Sequence, residues 1–167
     1  MQLRTFRAVF GAALTLVLAL AATQLSASAQ GEPGKHSSGN GKIIGVWNVR
    51  VTRRDCQTGD ALGVNPPVMN MFNRGGTLLE TSAGSPTRRG PGLGTWQYVG
   101  EQSYSAVFRF FRFNADGSFA GTRRVARTIE LSRDANEFTA TATDELFDAS
   151  GNLFQTGCAT ETATRLE

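Results

Sequence analysis

The chain has 167 residues, of which 40% are hydrophobic, and its 17 Lys and Arg face 14 Asp and Glu. This length suits one domain with a single buried core. The formal net charge is +3 and falls to +1 without the predicted leader, residues 1–29. This is not the strongly basic balance typical of nucleic-acid-binding proteins, so no nucleic-acid partner is predicted. No cofactor is expected, and the sequence leaves the oligomeric state open.

Residues 1–29 have the pattern of a bacterial signal peptide. Arg4 and Arg7 precede an apolar run over 8–22, and Ala27-Ser28-Ala29 offers a cleavage site. The alternative is an uncleaved anchor, but about fifteen apolar residues fall short of the roughly 20 that cross a bilayer. Cleavage leaves 138 residues with 15 Lys and Arg against 14 acids, a net charge of +1. We therefore expect a secreted or periplasmic protein with no membrane span after cleavage.

Residues 30–42 are predicted to form a flexible linker, because they are rich in Gly, Ser and other polar residues. The single histidine of the chain, His36, lies in this linker. The predicted domain, 43–167, therefore lacks the histidine that Ser-His-Asp and Cys-His enzymes use. No catalytic residue and no metal site are predicted.

Two cysteines, Cys56 and Cys158, lie far apart in the predicted domain. An exported protein meets an oxidising compartment, where such a pair normally forms a disulfide. A metal site would need further ligands. We expect a disulfide between them.

From residue 43 onward the chain reads as short extended segments separated by turn residues, which predicts an all-β fold. Gly, Asn and Asp are concentrated at the breaks between segments. No amphipathic helix is predicted. The eight predicted strands are 43–54, 67–73, 77–82, 94–100, 104–114, 118–131, 137–148 and 152–166.

The disulfide predicts how the first and last strands pair. Placing the two cysteines opposite each other in an antiparallel ladder puts Val49 opposite Arg165 and Arg53 opposite Glu161. The odd-numbered side chains of the first strand, including Trp47, are predicted to face the interior. A meander of eight strands whose first and last members pair is a closed up-and-down barrel without exposed edges. The disulfide would lock this closure.

Two features at the ends of the domain resemble the lipocalin signature of the calycin superfamily. They are Gly45-Val46-Trp47 on the first strand and Arg165 on the last. The resemblance implies a lipocalin-like barrel with structural roles for both residues. Trp47 would plug one end of the barrel, and Arg165 would pack across the indole and bind backbone near the start of the barrel.

The segment 84–94 is rich in Gly and Pro and contains the adjacent Arg88 and Arg89. Two interpretations are open, and one is a lid or mouth loop whose paired guanidiniums could hold a carboxylate or phosphate. It is not a phosphate-binding glycine motif, because a strand rather than a helix follows it. The alternative is a solvated connector whose charges aid solubility.

Alternation along 118–131 and 137–148 predicts polar groups inside the barrel. Arg123 and Arg127 share the face of the apolar residues of their strand, and Asp144 shares that of its neighbour. A tight hairpin turn would place Asp144 opposite Val125 and diagonal to both arginines. The alternatives are an internal ion-pair network or a bulge that turns the arginines outward.

An apolar cavity with inward guanidiniums suits a small hydrophobic or amphipathic anion such as a fatty acid, and such a ligand is the leading functional prediction. The predicted ligand-binding residues are Arg123, Arg127, Asp144, Tyr104, Phe108 and Phe110. One alternative is a barrel isomerase or cyclase similar to allene oxide cyclase and dirigent proteins, with Asp144 or Glu161 as acid or base. Another is a filled structural or interaction barrel that binds no ligand.

Overall fold

A computed structural model describes residues 41–167, and this part of the chain forms one antiparallel sheet without helices. The predicted signal peptide and residues 30–40 of the predicted linker lie outside the described residues. The strands are β1 (Gly45–Arg54), β2 (Ala61–Val64), β3 (Val68–Phe72), β4 (Thr77–Ser82), β5 (Gly92–Gly100), β6 (Ser103–Phe113), β7 (Phe119–Leu131), β8 (Glu137–Phe147) and β9 (Leu153–Arg165). From β3 onward, each strand pairs with the next along the chain.

The sheet closes on itself because β1 pairs with β9 along one edge and with β2 and β3 along the other. β2 and β3 lie end to end on β1, and Asn65-Pro66-Pro67 separates them. Proline lacks the N–H that a ladder requires, so the pairing is interrupted there. Because β2 and β3 occupy one place in the sheet, the barrel has eight strands around its axis. The predicted closed antiparallel barrel is confirmed.

Every predicted strand is present, and its ends differ from the prediction by at most two residues. β2 was not predicted, because its four residues show no alternation of buried and exposed side chains. Aspartates close the hairpins that follow β6, β7 and β8, at Asp116, Asp134 and Asp148. For example, the Asp148 carboxylate accepts a hydrogen bond from the Asn152 backbone N–H at 2.8 Å. Hydrogen bonds from side-chain donors, and then from backbone N–H groups of the same turns, lower the pKa of all three carboxyls.

The disulfide Cys56–Cys158 is confirmed, with the two Cα atoms 5.3 Å apart. The register predicted from it is wrong by two residues. Cys56 lies in the turn beyond the end of β1, so Cys158 is opposite Arg54 in the ladder. Arg165 is therefore opposite Trp47 and Glu161 is opposite Val51. A shift of two residues leaves the inward and outward faces unchanged.

One end of the barrel is filled by aromatic side chains. Trp47 packs on Phe138 with their ring centroids 5.0 Å apart, and Phe72 contacts Phe138 and Trp96 at 6.2 Å each. Tyr104 continues the cluster at 5.8 Å from Trp96. Burying rings of this size removes much apolar surface from water, so this filled end is a large part of the hydrophobic core.

Arg165 covers the outside of the filled end. Its guanidinium carbon lies 4.3 Å from the centroid of the Trp47 ring. Its Nε, Nη1 and Nη2 donate to the carbonyl oxygens of Ala135, Ile44 and Lys42 at 2.9, 2.8 and 2.6 Å. Arg165 therefore ties the last strand to the segment that enters the barrel and to the turn between β7 and β8.

The glycine before Trp47 leaves space for this arginine. A Cβ built on Gly45 would lie 2.6 Å from Arg165 Nη1, and the φ of Gly45 is +135°, a conformation that other residues rarely adopt. The indole Nε1 of Trp47 donates to the carbonyl oxygen of Ile43 at 2.9 Å. Glycine, tryptophan and arginine thus act together at the filled end.

Candidate functional site

The opposite end of the barrel contains a cavity of about 500 Å³. Its apolar walls come from β1, β3, β6, β7 and β8, because the inward positions of these strands alternate with outward ones. The apolar wall residues include Val51, Val68, Phe108, Phe110, Val125 and Ala142. We call this space the cavity and its outer rim the mouth.

Small residues on neighbouring strands make room for polar groups in the cavity. A Cβ on Gly92 would lie 2.7 Å from the Phe108 ring and 2.8 Å from the Glu80 carboxylate. A Cβ on Gly157, which is paired with Asp144, would collide with the Asp144 carboxylate. These glycines therefore allow inward carboxylates where a larger residue would exclude them.

The deepest polar contact in the cavity is the ion pair between Arg127 on β7 and Glu161 on β9. Nη1 donates to Oε2 at 2.8 Å, and the two side chains are 1% and 4% exposed. The guanidinium also lies 4.9 Å from the centroid of Phe108 and 5.8 Å from that of Phe72. Its Nε and Nη2 are buried without a hydrogen-bond partner in residues 41–167. Arg127 thus holds a carboxylate and keeps two unused donors.

A second ion pair joins Arg123 to Asp144 nearer the mouth. Asp144 is opposite Val125, as the alternation predicted, and the arginine side chain is 30% exposed. The Nε of Arg123 is buried and has no hydrogen-bond partner in the described part of the chain. The predicted alternative of internal ion pairing is therefore present as two separate pairs, since Arg127 binds Glu161 and not Asp144.

The loop between β4 and β5 contributes a third ion pair. Arg89 folds over the ring of Phe110, with its guanidinium carbon 3.7 Å from the ring centroid, and binds Glu80. Glu80 is 3% exposed. Burial raises the pKa of the Glu80 carboxyl, and the nearby Arg89 guanidinium opposes this rise. One of the two loop arginines therefore belongs to the wall of the cavity.

Asn70 adds a further polar group to the interior. It is 1% exposed and lies on β3, opposite Trp47 of β1 on one side and opposite Glu80 of β4 on the other. Its side-chain oxygen and nitrogen both lack hydrogen-bond partners in the described chain. A buried amide without a partner is unfavourable.

Of the six predicted ligand-binding residues, the structure brings five together on the cavity wall: Arg123, Arg127, Asp144, Phe108 and Phe110. Tyr104 faces inward on the same strand as the two phenylalanines but lies in the filled end, where it is fully buried against Trp96 and Tyr98. Burial raises the pKa of the Tyr104 hydroxyl. Whether the five bind a ligand stays a prediction.

Sequence reasoning missed the pair Arg89 and Glu80. A signal for Glu80 was present, because Leu78 and Glu80 alternate with outward-facing neighbours and so share the inward face of β4. Arg89 was singled out with Arg88 as a possible anion site, but it lies in a loop without periodicity, so nothing in the sequence indicated that its partner is Glu80. Glu161 was noticed, but the wrong register placed it opposite Arg53.

The cavity differs from a larger groove of about 1000 Å³ on the outer surface. That groove follows outward side chains such as Asn48, Arg50 and Thr139, which are exposed to solvent. Across residues 41–167, no three His, Cys, Asp or Glu side chains are placed to hold a metal ion. The same residues include no helix long and apolar enough to cross a membrane.

The chain was compared with protein-family models and with curated proteins. Neither comparison finds a match. The barrel, the three interior ion pairs and the cavity are therefore the observations from which a function can be inferred.

Proposed function

We propose that this chain is an exported, lipocalin-like barrel that binds a small amphipathic anion in its cavity. One observation carries the proposal: the interior is filled at one end and open at the other, where about 500 Å³ is enclosed by both apolar and charged side chains. Sites for small molecules typically measure about 300–1,000 Å³. This cavity has a volume in that range, and its lining is more polar than is usual for such sites, because charged side chains stand beside the apolar walls.

The unused donors of the cavity support a ligand with oxygen acceptors. Arg127 has two buried N–H groups without partners, and Arg123 has one, in the described chain. A carboxylate or hydroxyl oxygen that enters the cavity can accept hydrogen bonds from them. The apolar walls around Phe108 and Val125 can take a hydrocarbon part.

Export is supported by the leader pattern of residues 1–29 and is compatible with the disulfide.

The lipocalin-like assignment is supported by the contact of Arg165 with Trp47 and with backbone at the start of the barrel. Both features match the roles that the resemblance implies.

The proposal is tested on mature protein purified from the periplasm or medium of its own host. Native mass spectrometry should detect a small molecule that is released on denaturation, and a fluorescent fatty acid should bind the emptied protein. A protein that is purified empty and that fails to bind the fluorescent fatty acid would exclude the proposal.

A matched pair of variants locates the binding. Ala142→Phe fills the cavity from β8, whereas Thr141→Phe places the same ring on the outer face of the same strand. We expect Ala142→Phe to lose the probe and Thr141→Phe to keep it, with circular dichroism used to check that both variants fold. Equal binding by both variants would place the ligand outside the cavity.

A second candidate is a barrel isomerase or cyclase similar to allene oxide cyclase and dirigent proteins. The observation that favours it is Glu80, a buried carboxyl with a raised pKa on the cavity wall, since such a group can serve as an acid or base near neutral pH. The test incubates host metabolite extract with wild type and Glu80→Gln and compares products. Conversion that needs Glu80 supports the enzyme, and unchanged extracts contradict it.

A further inference from the structure

A second, smaller pocket of about 270 Å³ opens beside the mouth. It lies between the loop that precedes β5 and inward-facing side chains of β6 and β7. Four arginines line it: Arg88, Arg89, Arg112 and Arg123. Its described lining includes serine and asparagine side chains but no carboxylate. We call it the arginine pocket.

The backbone brings these arginines together. Arg89 is directly opposite Arg112 in an isolated β-bridge. Two backbone hydrogen bonds of 3.0 Å join the loop to Phe111 and Phe113 and hold this bridge in place. Side chains directly opposite each other in an antiparallel pair start about 5 Å apart, and like charges there are destabilising. The loop is thus bound to β6 at a position where two guanidiniums face the same space.

The charges of the arginine pocket are only partly balanced. Arg89 and Arg123 each bind a carboxylate of the adjoining cavity. Arg88 and Arg112 have no salt bridge to any carboxylate in residues 41–167. Four guanidiniums and two carboxylates leave a net charge of +2. An occupant with two negative charges would balance it.

Arg112 lines the pocket and has an unpaired donor. Its Nη1 is buried and has no hydrogen-bond partner in the described chain. Its guanidinium carbon is 5.6 Å from the centroid of Phe154, a weak contact for a charged group. A phosphate monoester carries a charge of about −1.5 to −2 at neutral pH and has three strong acceptor oxygens. Arginine binds such oxygens through paired N–H groups.

We propose that the arginine pocket binds the phosphate monoester head group of an amphiphile whose apolar part occupies the cavity. This inference rests on the proposed function for the apolar part of the ligand. The arginine pocket and the cavity share Arg89, Arg123 and Phe110 in their walls, so one ligand can reach both. A head group with a single charge would leave one guanidinium charge unbalanced.

The test compares dodecyl phosphate with dodecanoate, which share one chain and differ in the head group, by isothermal titration calorimetry. Arg88→Gln/Arg112→Gln removes the two unpaired charges, and Arg50→Gln/Arg109→Gln removes two exposed charges outside the pocket. We expect wild type to prefer dodecyl phosphate by about tenfold or more, the effect of one charge-assisted hydrogen bond. The pocket variant should lose this preference while it keeps dodecanoate affinity, and the surface variant should retain it.

Acidification gives an independent readout. A phosphate monoester is mostly a dianion at about pH 7.5 and mostly a monoanion at about pH 5.5, because its second pKa is about 6, whereas the carboxylate of dodecanoate stays mostly charged at both values. The preference should therefore fall at the lower pH. Equal affinity for the two amphiphiles in wild type, or a preference that survives in the pocket variant, would overturn the inference.

Inorganic phosphate separates the inference from the proposed function. If wild type binds dodecanoate without preferring dodecyl phosphate, the head-group inference fails and the proposed function stands. A second result is that inorganic phosphate binds wild type but not the pocket variant, and that the dodecyl chain adds no affinity to either amphiphile. The head-group site then stands and the proposed function fails. Co-sedimentation with phosphatidic acid vesicles, competed by dodecyl phosphate, would identify the head group as that of a membrane lipid. Its absence would identify a monomeric ligand.

Discussion

The buried ion pair between Arg127 and Glu161 allows a quantitative test of how dry the cavity is. Replacing either partner alone leaves the other charge buried and unpaired, and breaking such a pair typically costs about 3–5 kcal/mol. Since both side chains are at most 4% exposed, we expect Arg127→Met and Glu161→Leu each to lose stability in this range. Replacing both partners by apolar residues removes both desolvation penalties, so the double variant should lie within about 1 kcal/mol of wild type or be more stable.

The surface of the same barrel provides the control. Arg124 and Glu145 form an ion pair at 3.1 Å on the outer face, where their side chains are 35% and 37% exposed. Exposed pairs contribute about 0.2–1 kcal/mol. Arg124→Met and Glu145→Leu should therefore change stability little, whether they are made singly or together.

Urea unfolding followed by the fluorescence of Trp47 and Trp96 measures these differences. A loss of 3 kcal/mol lowers the midpoint by about 1.5 M when the m-value is about 2 kcal/mol per M. If Arg127→Met behaves like Arg124→Met, the pair is screened by water and the cavity is open to solvent. If the double variant loses the sum of the single losses, the two side chains do not interact in the folded protein.

The double variant also separates binding from folding. It keeps the barrel but lacks the donors of Arg127, so its affinity for an anionic probe should fall while its urea midpoint does not. Unchanged affinity would show that Arg127 does not contact the ligand.

Three further predictions concern closure and pH. The Cys56–Cys158 disulfide spans 102 residues of sequence, so Cys56→Ser/Cys158→Ser should lose up to about 4.7 kcal/mol from loop-closure entropy, and an unchanged urea midpoint would contradict this. Gly45→Ala should cost about 1–3 kcal/mol in thermal unfolding, because its Cβ would displace Arg165, and an equal cost in an Arg165→Met background would argue against that contact. A carboxyl whose folded pKa is raised stabilises the fold while protonated, so the stability contributed by Glu80 should decline as pH rises above its ordinary value of 4.5. Wild type should therefore lose stability relative to Glu80→Gln over that range, and parallel pH profiles would refute the assignment.

The architecture was predictable because its signals are local. Two-residue alternation and turn residues define each strand and hairpin without reference to distant parts of the chain. The register between β1 and β9 depends on residues that are far apart in the chain, so no local signal defines it. It was inferred from Cys56, which lies in a turn, and a disulfide from a turn does not require its cysteines to be opposite each other in a ladder. β2 was not predicted either, since its four mostly exposed residues show no periodicity.

The sequence predicted which side chains of the site face the barrel interior, but it did not predict how far along the barrel axis each one lies. Alternation correctly placed Arg123, Arg127 and Asp144 inside the barrel. It placed Tyr104 on the same inward face as Phe108, but the face alone does not say how far along the axis a residue lies. Tyr104 is nearer the filled end and packs into the aromatic cluster. The partner of Arg127 depended on the closing register, so sequence reasoning did not identify it.

The contrast between the two ends of the barrel supports a binding role for the open one. At the filled end, rings such as Trp47 and Phe138 show that an eight-stranded barrel of this size can be packed with side chains. At the open end, small residues such as Ala142 and Gly157 leave space for the cavity, and the residues of three ion pairs line this cavity. Buried ion pairs are often no more stabilising than apolar residues of equal volume, so stability alone does not account for them. Polar groups that lower stability are expected where a site must recognise a polar ligand, because activity and stability are then in conflict.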